Sequence, residues 1–141
     1  MASSKKNQRR APATRRKVRA PVRKAGAAAR GMADTVEQLR QLKLNHQAIR
    51  EKLMLVSPDL LSNAEHEAWA DQIFQVSLAI NGLRNAALEN LSAEFTAELP
   101  NFESATTQLV DDLFELQQAV DVIKAVAGVL DVIRQVARLL A

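Results

Sequence analysis

His46 and His66 are the only histidines in the 141-residue chain, so acid–base or metal chemistry would have to rest on them or on carboxylates. His46 falls on an apolar helical stripe, which predicts a core or boundary histidine with a hydrogen-bond partner. A sharper reading makes it a pH-sensitive interface residue, because burial and neighbours move histidine titration across the physiological range. His66 stands between Glu65 and Glu67 and is expected to be exposed. A helical di-iron centre uses a Glu-x-x-His pair on each of two helices, whereas Lys43 and Asn63 occupy the positions three residues before these histidines. Asp111, Asp112 and Glu115 cluster on one helix, but carboxylates from a single helix give a cation an incomplete oxygen shell. A solvated acidic face is the expectation there.

The remaining routes to chemistry close in the same way. Gly26, Gly31, Gly82 and Gly128 form no phosphate-cradling loop, and no serine is spaced beside a histidine as a nucleophile–base pair. The chain has no cysteine, which removes thiolate catalysis, disulfides and Cys-based metal sites. Trp69, Phe74, Phe95, Phe102 and Phe114 are the only aromatics, too few for a stacking platform for RNA. Trp69 and Phe95 read as core. The pattern predicts a non-enzyme that holds no metal and no cofactor.

Charge is the strongest signal. Lys5, Lys6, Arg9, Arg10, Arg15, Arg16, Lys17, Arg19, Arg23, Lys24 and Arg30 put 11 basic side chains into the first 31 residues, which contain no acid. Only 8 of the 19 basic residues remain from residue 32 onward, against all 16 acids, so that part carries a formal −8. Val18 and Val22 are the only large apolar residues between positions 2 and 31, and Pro12 and Pro21 interrupt that segment. A segment so poor in apolar surface cannot offset its ordering entropy, so residues 1–31 are expected to form a disordered basic arm. In composition the arm resembles the basic tails of histones and histone-like proteins. Its 11 cations are the candidate polyanion-binding residues, with counterion release from phosphates as the driving force. No aromatic residue accompanies them, so sequence-nonspecific contact is expected.

These cations need a platform, and the rest of the chain reads as all-α: a three-helix bundle over 32–141, built on a long antiparallel helical hairpin. Asp34 with Glu37 looks like a capping box opening a helix over 34–56, with Leu39, Leu42, Ile49, Leu53 and Val56 in heptad-like, coiled-coil spacing. Ser62 with Glu65 opens a second helix over 62–99. Its stripe is Trp69, Ile73, Val76, Ile80, Leu83 and Ala87, slipping by one residue to Leu91 and Phe95. Asn81-Gly82 reads as a soft point inside that helix. Leu99-Pro100-Asn101 is expected to turn the chain into a third helix over 102–140.

The third helix carries two stripes. Leu109, Leu113, Leu116, Val120, Ile123, Ala127 and Leu130 make one, and Val122, Val126, Val129, Ile133, Val136 and Leu140 make the other. Together they cover more of the circumference than the roughly 100° arc a surface helix needs. Such a helix is buried by two neighbours or meets something outside the monomer, and the second stripe is the candidate assembly interface.

The expected function is a self-associating helical module whose arm binds nucleic acid, several arms on one particle multiplying weak contacts. One alternative is a membrane-interacting or pore-type protein using the C-terminal helix on an anionic membrane. The other is an adaptor or structural subunit docking its arm on an acidic protein partner. No secretory signal or apolar membrane span of about 20 residues is visible, so the expected compartment is the cytoplasm, or the nucleus in a eukaryote.

Overall fold

The computed structural model describes residues 24–141, with side chains from Gly31 onward. Among the described residues the chain forms five α-helices: α1 (Lys24–Met54), α2 (Asn63–Asn85), α3 (Ala93–Glu115), α4 (Ala119–Ala127) and α5 (Leu130–Leu139). Short 3-10 turns at Pro58–Leu60 and Leu88–Asn90 join the first three. The chain divides into two units, residues 1–34 and 35–141. The packed core described below belongs to the second.

The all-α reading stands, but the helix ends differ from expectation in ways that local chemistry explains. α1 starts at Lys24 and not at Asp34. Ala25, Ala27, Ala28 and Ala29 supply strong helix propensity ahead of the expected cap. Glu37 does not close a capping box; it accepts a hydrogen bond from Arg40 at 2.7 Å, which holds its carboxyl below the usual carboxylate range. Of the arm expected to be disordered over 1–31, residues 24–31 belong to α1, and residues 1–23 lie outside the described residues.

Ser62 does cap α2. Its side chain accepts from the Glu65 amide while Glu65 accepts from the Ser62 amide, a full capping box. α2 then runs unbroken through Asn81-Gly82. It ends at Asn85, well short of residue 99, because Ser92 caps a new helix by accepting from the Phe95 amide at 3.0 Å. The one-residue slip of the stripe between Ala87 and Leu91 marks this break.

Pro100, expected in the hairpin turn, sits inside α3 on its exposed face. A proline in a helix interior removes one backbone hydrogen bond, and on the outer face water can serve the freed carbonyl. The inner face overrides the local cost: Phe95, Leu99, Phe102, Thr106, Leu109 and Leu113 form one buried stripe running past the proline. The expected antiparallel hairpin through Leu99-Pro100-Asn101 is therefore absent.

The expected third helix is likewise divided. The chain leaves helical geometry at Leu116–Gln118 and again at Val129, just past Gly128, whose backbone angles are still helical. These breaks let α4 and α5 each pack against both α2 and α3, so the wide apolar arc is covered by two neighbours within the chain.

The core joins Leu42, Ile49 and Leu53 of α1 to Val76, Ala79, Ile80 and Leu83 of α2, the α3 stripe, Val122 and Val126 of α4, and Ile133 and Val136 of α5. Phe95 and Phe102 meet at a ring separation of 5.8 Å. Polar links also tie α1 to its surroundings: Trp69 Nε1 donates to the Leu53 carbonyl at 2.8 Å and Lys52 Nζ to the Leu116 carbonyl at 2.7 Å.

Gly82 has a specific packing role. A Cβ built there would lie 2.8 Å from Leu140 Cβ, so the C-terminal residues reach α2 only because residue 82 has no side chain. Gly82→Ala is expected to lower the urea midpoint, with overpacking of about 1–3 kcal/mol outweighing a helix-propensity gain of up to about 1 kcal/mol. In a chain lacking residues 140–141 the same substitution should instead raise the midpoint.

Candidate functional surfaces

Of the eleven candidate polyanion-binding cations, Lys5, Lys6, Arg9, Arg10, Arg15, Arg16, Lys17, Arg19 and Arg23 lie outside the described residues. Lys24 and Arg30 fall on the backbone of α1, with their side chains outside the described set. The remainder of the chain, which carries the −8 excess, pairs several of its own cations. Arg134 bonds Asp71 at 3.0 Å and approaches Asp131 at 3.9 Å, Arg138 approaches Glu94 at 3.9 Å, and Arg40 bonds Glu37.

The candidate assembly stripe is corrected by burial. Val122, Val126, Ile133 and Val136 are all at or below 2% exposure, and Val129 and Leu140 pack partly buried against the same core. Covering α2 and α3 within one chain is the more local way to remove these methyl groups from water, so the stripe is spent on folding. The apolar arc that invited a membrane reading is the same surface. No helix among the described residues is long and apolar enough to cross a membrane.

Exposed apolar surface lies elsewhere. Leu55 is 80% exposed, Leu60 71% and Phe114 88%. Leu55 and Leu60 share a groove with Gln117 and Ala119, while Phe114 lies in the last turn of α3, held near the end of α1 through the Lys52–Leu116 bond. Sequence reasoning passed over these residues because none continues a stripe. The usable signal was local: Leu55 follows the last turn of α1, and Phe114 adjoins the core residue Leu113.

Buried polar groups are concentrated between α1 and α3. Asn45 Nδ2 donates to Thr106 Oγ1 and Thr107 Oγ1, both at 2.9 Å, and its Oδ1 accepts from Gln41. Thr106 passes its own hydrogen to the Phe102 carbonyl at 2.8 Å. This network fixes the register of two helices and leaves Asn45 well satisfied.

His46 is fully buried one residue along. Its Nδ1 lies 2.9 Å from the Leu42 carbonyl, and a carbonyl can only accept, so Nδ1 carries the proton and Nε2 is left as an unpartnered buried acceptor. Burial pushes its pKa down to about 4, with the Leu42 bond opposing. It is a core histidine, as its place on the stripe predicts. Gln72 donates to the Ile123 carbonyl at 3.0 Å while its Oε1 has no partner.

His66 is exposed and meets Trp69 edge-on at 5.3 Å. Asp111, Asp112 and Glu115 are exposed on α3, and no group of three or more His, Asp or Glu side chains among the described residues converges as metal ligands. Comparison with known protein families, curated proteins and solved structures finds no match for this chain.

Proposed function

We propose that the chain is a non-enzymatic helical module whose basic N-terminal segment grips a polyanion, nucleic acid first, without reading sequence. One observation carries this reading: 11 cations and no acid in residues 1–31, set against a formal −8 in the remainder. Phosphate backbones reward such a segment through counterion release. The acidic remainder repels the same backbone and restricts contact to the arm. Such a partner places the protein in the cytoplasm, or in the nucleus of a eukaryote.

Self-association belongs to the same reading, because several arms on one particle raise effective concentration. Leu55, Leu60 and Phe114 are the surface proposed for it, since the valine stripe is occupied by the core.

Fluorescence anisotropy of the full chain and of a 24–141 truncation, with duplex DNA and RNA, tests the reading. The full chain should bind both at 50 mM salt, and the truncation, which keeps only Lys24 and Arg30 of the eleven, should lose at least 100-fold in affinity. Equal binding by the two proteins contradicts it. Binding of anionic vesicles in preference to nucleic acid would transfer the arm to a membrane surface.

A further inference from the structure

The folded unit holds five arginines: Arg40, Arg50, Arg84, Arg134 and Arg138. Three of them are in ion pairs. Arg50 and Arg84 have no acidic partner among the described residues, and both line the same groove of about 590 Å³ between α1 and α2. That size falls within the range of small-molecule sites.

The groove has a regular construction. Gln47, Arg50, Glu51 and Met54 line one wall and Ser77, Ile80, Asn81 and Arg84 the other, each set at positions i, i+3, i+4 and i+7, which is one helical face. The two helices run antiparallel, since Leu53 meets Trp69 while Arg50 meets Ser77. Arg50 Nε donates to Ser77 Oγ at 3.0 Å, which steadies the guanidinium and leaves its terminal nitrogens to serve an anion. Arg84 stands seven residues beyond Ser77 on α2, about 10 Å along the helix at 1.5 Å per residue.

Guanidinium forks match phosphate oxygens in geometry and charge. Between the two forks lie the amides of Gln47 and Asn81, while Glu51, one residue past Arg50 on the antiparallel α1, stands on the side of Arg50 away from Arg84. Amides suit hydroxyl groups, as both donors and acceptors. We infer that this groove binds a small polyhydroxylated bisphosphate, with one phosphate on Arg50 and the other on Arg84. The groove is lined by residues of the folded unit alone, so the inference is independent of the arm.

The test is a ¹H–¹⁵N NMR titration of the full chain with fructose 1,6-bisphosphate, and with fructose 6-phosphate as the single-phosphate control, at constant ionic strength. Site-resolved shifts separate the groove from the basic arm. Saturable shifts are expected at Ser77, Asn81 and Arg84 and at the Gln47 side-chain amide, with the monophosphate at least ten-fold weaker. Arg50→Gln and Arg84→Gln should each weaken the bisphosphate at least ten-fold while leaving resonances elsewhere in 35–141 unmoved; both side chains are solvent-exposed. Shifts absent from the groove, equal binding of the two sugars, or variants that bind like the parent would overturn the assignment. The monophosphate comparison needs no variant and stands even if a substitution perturbs the fold.

Discussion

Val136→Asp is expected to unfold residues 35–141 outright, giving a disordered far-ultraviolet circular dichroism spectrum at 25 °C. Val136 is fully buried between α5 and the rest of the core, so the carboxylate would be desolvated with no cation beside it. An uncompensated buried charge costs several kcal/mol, a large share of the 5–15 kcal/mol that holds a typical domain together. If the stripe of Val122, Val126, Val129, Ile133, Val136 and Leu140 were an interface between copies, the same substitution would yield a folded, dissociated protomer. Circular dichroism with sedimentation therefore separates the two roles. Phe114→Asp is the informative companion: its side chain is 88% exposed, so the fold should persist and any self-association should weaken.

Acidification should expose His46 in a second way. Its pKa in the folded protein is about 4, below the roughly 6.5 of an unfolded chain. The folded form is thus depressed, and the sign follows from proton binding. Above about pH 6.5 neither state binds the proton and stability is unaffected. Between about 6.5 and 4 the unfolded chain takes up the proton first, so stability falls as pH falls, by about 3 kcal/mol in total, and then levels off. His46→Leu, close in volume and lacking the unpartnered Nε2, should match or exceed the parent at pH 7 and lose less stability on going to pH 4.5. Urea denaturation at the two pH values measures this. Equal losses in both proteins would mean that carboxylates alone set the acid response.

How far the sequence could be read differs from element to element. Helical periodicity identified the stripe on α1, including His46, and the Ser62–Glu65 box placed the start of α2 within one residue. Pro100 misled because a local helix breaker competes with a tertiary stripe, and six inward residues of α3 outweigh one lost hydrogen bond. The Ser92 cap was legible in principle, marked by a slipped stripe. The break at Leu116–Gln118 carries neither proline nor glycine, so periodicity alone could not reveal it. That unseen break is why a stripe destined for the core read as surplus surface. The arginine groove was invisible for another reason: Arg50 and Arg84 are 34 positions apart and come to line one groove only once α1 and α2 pack.

The proposed grip is electrostatic, and the salt dependence of DNA binding by the full chain tests it most directly. Anisotropy with two unrelated duplexes between 50 and 300 mM salt should give the same affinity for both. The slope of log K against log salt should fall between about −5 and −10, since each neutralised phosphate contributes about −0.9 and up to 11 cations are available. A slope near zero, affinity that depends on sequence, or no binding at 50 mM salt would contradict a nonspecific polyanion grip by the basic segment.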